Sequence, residues 1–150
     1  MSNDDWVLLN DIKSDDLKLD CITVDLAFCY NNFALEFISK VRKLFPDVYL
    51  IAGNFDSHLA AMELERIGVD CGKIGIGTSV LCKTRQRIGV ATAMISDLVK
   101  CKENTSRIHF MADGGLQTLD DGEIAIGDAW KAMNFGAKFV LSSSLFKRVK

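Results

Sequence analysis

The stretch CITVDLAFCYNNFALEFISKVRKLFPDVYLIAG, residues 21 to 53, decides the fold. Its first part, CITVDLAF (21 to 28), is a near-continuous apolar run of strand length. Asn31 and Asn32 can then cap a helix whose apolar stripe is Ala34, Phe37, Ile38, Val41, Leu44 and Phe45. Pro46, the only proline, stops that helix. VYLIAG (48 to 53) follows as a second buried strand. A strand, a helix and a strand in this order, with both strands apolar throughout, predict a parallel pair covered by its connecting helix.

The same alternation continues in both directions. Asp56 and Ser57 can cap a helix that carries Ala60, Leu64 and Ile67 on one face and stops at Gly68. KIGIG (73 to 77) reads as a strand, 91 to 101 as a helix, and IHFMADGG (108 to 115) as a strand. A helix over 127 to 135 and a strand at KFVLSSS (138 to 144) follow, while DWVLLNDI (5 to 12) reads as an opening helix. Five apolar strands separated by helices give an α/β fold with a parallel sheet, without linker, low-complexity tract or second domain.

Composition narrows the function classes. The chain has 150 residues, 49% hydrophobic, with 18 Lys+Arg against 20 Asp+Glu and a net charge of -2. One domain of that length buries roughly 70% of the surface of its unfolded chain. The charge supplies no basic field for nucleic acid. No apolar run approaches the length of a membrane span, and the acidic MSNDDW start is unlike a secretory signal. Five cysteines, an odd number with no CxxC, read as reduced thiols of a cytoplasmic protein without a zinc site. Cys21, Cys29, Cys71 and Cys101 lie in strand or helix patterns and read as packing residues, as do Trp6 and Trp130. His58 and His109 have no recognisable partner, and Asp120, Asp121 and Glu123 read as a solvated loop, as does the basic tail 146 to 150.

The functional signal lies in glycines at strand ends: Gly53-Asn54, Gly75-Ile76-Gly77 and Asp113-Gly114-Gly115. In parallel α/β sheets ligands bind at those carboxyl ends. A tight turn alone also accounts for any single one of these glycines.

Three stretches taken together resemble the GMP reductase branch of the IMP dehydrogenase/GMP reductase family. They are VDLAFCYNNFALEFISKVRKLFPDVYLIAGN (24 to 54), DCGKIGIGTSVLCKTRQRIGV (70 to 90), and ADGG (112 to 115) followed by GDAWKAMNFGAKFVLSSSLF (127 to 146). The resemblance implies a partial TIM (β/α)8 barrel of five parallel βα units, strands 4 to 8 of the family barrel. It also implies a single truncated domain over 1 to 150, since a complete barrel takes eight units and about 250 residues. The implied activity is NADPH-dependent conversion of GMP to IMP and ammonia.

Residue by residue, Cys82 matches the nucleophile that attacks C2 of the purine, and Thr84 the partner in proton transfer. Asp113, Gly114, Gly115, Ser143 and Ser144 match nucleotide-binding positions; Asp25, Leu26, Ala27 and Ile76 match cofactor contacts. Backbone carbonyls of Gly77, Ser79 and Cys82 match ligands of potassium or another monovalent cation. Asp25 and Asp113 can alternatively cap neighbouring N–H groups. The chain departs from the family at Ser79 and Val80, at Phe28 and Cys29, at Ser143 and at Met94, all on the ligand face. The flap and the glutamate that partners Thr84 in relatives are expected beyond Lys150. A five-strand piece has two unpaired edges and one uncovered apolar face, so the expected state is a homo-oligomer or a hetero-oligomer with a full-length homologue. The rival reading is an inactive nucleotide-binding or regulatory fragment docked on such a homologue.

Overall fold

A computed structural model describes residues 3–15, 17–78, 89, 91–116 and 127–142. Its elements run α1 (Asn3–Ser14), β1 (Cys21–Asp25), α2 (Asn32–Leu44), β2 (Tyr49–Phe55), α3 (His58–Ile67), β3 (Cys71–Ile74), α4 (Met94–Asn104), β4 (His109–Asp113), α5 (Asp128–Asn134) and β5 (Phe139–Leu141). The five strands form one sheet in chain order, every pair parallel. With successive strands adjacent and parallel, crossovers of one hand put the connecting helices on one face, where they share one core.

The local signals act as read from the sequence. Of the two candidate asparagines, Asn31 caps α2 by accepting from the Ala34 N–H at 3.0 Å. Ser57, not Asp56, caps α3 through the Ala60 N–H at 3.3 Å. Gly68 ends α3 with φ 96°, a left-handed conformation that suits glycine. The stripes Ala34, Ile38, Val41 on α2, Ala60, Ala61, Leu64 on α3 and Leu98, Cys101 on α4 are buried. They pack with Leu50, Ala52, Phe55, Ile74, Phe110 and Ala112 in one core.

The opposite sheet face carries the alternate residues. Register places Thr23, Ile51, Cys71 and His109 in one row. The next row holds Asp25, Gly53, Lys73, Met111 and Phe139, with Asp113 opposite Leu141 beyond it. Leu141 at this face is 48% exposed. In a closed barrel this face lines the interior.

Several expectations shift. β3 starts two residues before KIGIG and ends at Ile74, because Gly75 (φ 145°) and Gly77 (φ 73°) turn the chain out of the ladder. α4 begins at Met94 instead of 91, after a segment in which the Thr92 N–H donates to the Ile76 carbonyl. Cys21 and Trp130 are exposed and do not pack as expected. His109, read as unpartnered, has Tyr49 Oη 3.1 Å from Nδ1 and Lys138 Nζ 3.3 Å from Nε2. No helix among the described residues is long and apolar enough to cross a membrane.

Arg42 fastens the turn between α2 and β2. Its Nη1 donates to the carbonyls of Phe45 (3.3 Å), Pro46 (2.8 Å) and Val48 (2.9 Å), while Nη2 pairs with Asp70. Asp70 in turn accepts from the Leu50 N–H at 2.8 Å. Arg42→Ala strips these acceptors of their donor, and the expected loss in urea-monitored stability is about 2–3 kcal/mol. A loss under about 1 kcal/mol would show that the turn holds without the guanidinium.

Candidate strand-end ligand site

The carboxyl ends of β1 to β4 converge on one charged side chain. Lys73 stands on the central strand β3 and is 3% exposed. Its Nζ lies 2.9 Å from Asp25 Oδ1, at the end of β1, and 3.3 Å from Asp113 Oδ2, at the end of β4. Asn54 Nδ2 donates to the same Asp113 oxygen at 2.9 Å and to the Gly75 carbonyl at 2.8 Å. A buried ammonium is tolerated only when paired, and here two carboxylates pair it.

Two glycines make this convergence possible. A Cβ on Gly53 would sit 2.4 Å from the Lys73 Cβ, so the lysine stem crosses β2 only where a side chain is missing. A Cβ on Gly75 would sit 2.0 Å from the Asp113 carbonyl oxygen, and Gly75 also has a positive φ. These glycines therefore do more than turn the chain: they let β2 and β3 approach their neighbours closely. The peptide between Gly53 and Asn54 is cis. Past β1, Leu26 accepts from the Asn54 N–H (2.6 Å) and donates to the Gly53 carbonyl (2.7 Å), holding the two strand ends together.

A cavity of about 200 Å³ opens at these ends, lined by Asp25, Leu26, Ala27, Asn54, Gly75, Ile76 and Asp113. The structure thus brings together five residues singled out in the sequence: Asp25, Leu26, Ala27, Ile76 and Asp113. It adds two that sequence reasoning missed, Lys73 and Asn54. Among the described residues Asp25 and Asp113 pair with Lys73. Gly114 follows Asp113 and donates to the Leu141 carbonyl at 3.3 Å; Thr78 Oγ1 donates to the Asp113 carbonyl at 3.2 Å. Cys82, Thr84, Ser79, Ser143 and Ser144 lie outside the described residues, so of the cation positions only Gly77 is described.

Chemically, the cavity offers hydrogen-bond acceptors. Both described donors to Asp113 reach Oδ2, and Asn54 Oδ1 is buried without a partner among the described residues. The Asp25 and Asp113 carboxylates that line it suit a ligand with hydroxyl groups, such as a ribose. The volume is below the roughly 300–1,000 Å³ of whole-ligand pockets, so it takes part of a larger molecule. A second groove, of about 460 Å³, runs between α1, β1 and α2 and is walled mainly by Leu8, Leu9, Ile22, Phe37 and Val41. It is larger and mainly apolar, with Asp5, Thr23 and Asp25 as its polar lining, and it shares Asp25 and Leu26 with the strand-end cavity.

The described thiols offer no competing nucleophile in the core. Burial pushes Cys29, Cys71 and Cys101 up to about 12, so these three stay protonated at neutral pH.

Comparisons with known proteins establish the family and the fold. Residues 11–150 match the IMP dehydrogenase / GMP reductase domain. The chain belongs to the IMP dehydrogenase/GMP reductase family. It is 32% identical over 148 residues to a GMP reductase of Helicobacter pylori strain G27, covering 97% of this chain and 43% of that one. Against a GMP reductase of Caenorhabditis elegans the identity is 33% over 148 residues, covering 39% of the relative. An inosine 5′ monophosphate dehydrogenase from Legionella pneumophila superposes with a TM-score of 0.76 at 26% identity, covering 94% of this chain and 40% of that one. The chain therefore spans about two-fifths of the length of these relatives, and its five βα units are a partial TIM barrel of an oxidoreductase family.

Asp56, just past β2, gives the fold a pH signature. Burial and the neighbouring Asp97 carboxylate raise it above the usual aspartate range. Below the unfolded-state value both states hold the proton and nothing is lost. As pH rises through the higher native value, the folded chain must ionise this carboxylate at a cost, and stability falls. Asp56→Asn is expected to raise the melting temperature near pH 7, with the gain fading at about pH 3. An equal gain at both pH values would assign the effect to packing.

Proposed function

We propose that this chain is the GMP reductase-like part of a purine nucleotide oxidoreductase that converts GMP to IMP and ammonia with NADPH, in the cytoplasm. The observation that carries the reading is Asp113, a strand-end carboxylate fixed by Asn54 and Lys73 at a cavity suited to ribose hydroxyls. Identity above 30% to proteins named GMP reductase supports the reductive direction over IMP dehydrogenation.

On this reading Asp113 accepts from the nucleotide ribose, Gly114 and Gly115 let the backbone approach the nucleotide closely, and Ser143 and Ser144 belong to the turn whose backbone N–H groups hold its phosphate. Asp25, Leu26, Ala27 and Ile76 meet the cofactor, whose role is to supply hydride. The Cys82 thiolate attacks C2 of the purine, and the 2-amino group leaves as ammonia with a proton passed through Thr84. Hydride then replaces the lost group at C2, and expulsion of the thiolate yields IMP. Carbonyls of Gly77, Ser79 and Cys82 hold potassium or a similar cation.

Because the chain spans two-fifths of its relatives, the complete reaction is assigned to an assembly, either of its own copies or with a full-length homologue. A second reading is a catalytically inactive subunit that binds a nucleotide and docks on such a homologue. It is favoured by the β1 edge and by Phe139 and Leu141, 39% and 48% exposed on the sheet face that lines a closed barrel.

Loss of NADPH absorbance with GMP, measured on protein of known oligomeric mass beside Cys82→Ala, separates the two. Turnover that disappears in Cys82→Ala is expected from the reductase. Folded protein that binds GMP without turnover would support the inactive subunit, and folded protein that binds no purine nucleotide would overturn both.

A further inference from the structure

We infer that Lys73 is a positioning residue that couples the nucleotide and cofactor halves of the strand-end site, so that each ligand tightens the other. The inference rests on the preceding assignment of Asp113 to the nucleotide and Asp25 to the cofactor.

The geometry is that of one cation shared by two anions. Lys73 Nζ reaches Asp25 at 2.9 Å and Asp113 at 3.3 Å, from a side chain 4% exposed. The two carboxylates differ in how firmly they are held. Asp113 is 21% exposed and has Asn54 as a second donor. Asp25 is 66% exposed, and Lys73 is its only side-chain donor among the described residues. The orientation of Asp25 therefore depends on the ammonium, whereas that of Asp113 does not.

Hydroxyl donors arriving at Asp113 satisfy part of its charge and weaken its share of the ammonium. Lys73 then leans on Asp25 and fixes the exposed carboxylate in one orientation. A second ligand that donates hydroxyls to Asp25 meets an acceptor already ordered, and the ordering cost it would otherwise bear is gone. Thermodynamic linkage requires the same factor in the opposite direction. The route needs no backbone movement: it runs across β1, β3 and β4 through one side chain.

The experiment is a titration of the full chain with NADPH, followed by the cofactor's fluorescence, without and with saturating IMP and in the absence of ammonia. IMP is expected to tighten NADPH about fivefold or more, the lower end of ordinary coupling. Lys73→Met should bring that ratio to about one, and Lys73→Arg should restore part of it, because the guanidinium fork can still bridge two carboxylates. Asp25→Asn weakens the same link from a side chain 66% exposed, and on protein whose folding is confirmed by circular dichroism it should also abolish the ratio. The reciprocal titration, IMP binding with and without NADPH, should give the same factor. Both ligands binding with coupling undiminished in Lys73→Met or in Asp25→Asn would overturn the inference and leave the site assignment standing. Wild-type protein that binds neither ligand would overturn both.

Discussion

One ammonium, buried where strands β1, β3 and β4 end, sets the electrostatic terms for the whole ligand face. Lys73 is 3% exposed, and the Asp25 and Asp113 carboxylates that pair it stand 2.9 and 3.3 Å from its Nζ. Removing one partner of such a group leaves the remainder uncompensated, at a cost of about 3–5 kcal/mol for a fully buried pair. The glycines then read as consequences. Gly53 clears the path of the lysine stem, and Gly75 lets the end of β3 press against the Asp113 backbone. The helix-covered face of the sheet is ordinary apolar packing, and the paired charges lie at this polar end.

The architecture was legible because the signals that specify it are local. Asn31, Ser57, Gly68 and Pro46 mark helix ends within a few residues of where they act, and the strands carry continuous apolar runs that only a covered parallel sheet explains. Element ends shifted where a tertiary hydrogen bond decided them, as at Thr92, which ties the segment before α4 to Ile76. The site was legible only in part. Asp25, Ile76 and Asp113, to which the glycine-marked strand ends and the family resemblance pointed, line one cavity. Lys73 and Asn54 were missed because a lysine or an asparagine in a strand reads as surface. The partners that make their burial possible come from other strands, far away in sequence. The Gly53-Asn54 and KIGIG pairings held the only available hint, a polar residue embedded in each strand-end glycine pattern.

A partial barrel also explains the distribution of uncovered surface. The row Asp25, Gly53, Lys73, Met111 and Phe139 lines the interior of a closed barrel, and here Phe139 and Leu141 remain exposed. Small barrels of eight strands fill that interior with side chains. The polar cluster at the strand ends is nevertheless complete among β1 to β4, since every described partner of Lys73 comes from these residues.

The account is tested most directly by a crystal structure of the chain grown with GMP. It predicts ribose hydroxyls donating to the Asp113 carboxylate while the Lys73 ammonium still bridges Asp25 and Asp113. GMP lodged in the groove between α1, β1 and α2, or Lys73 turned away from both carboxylates, would contradict it.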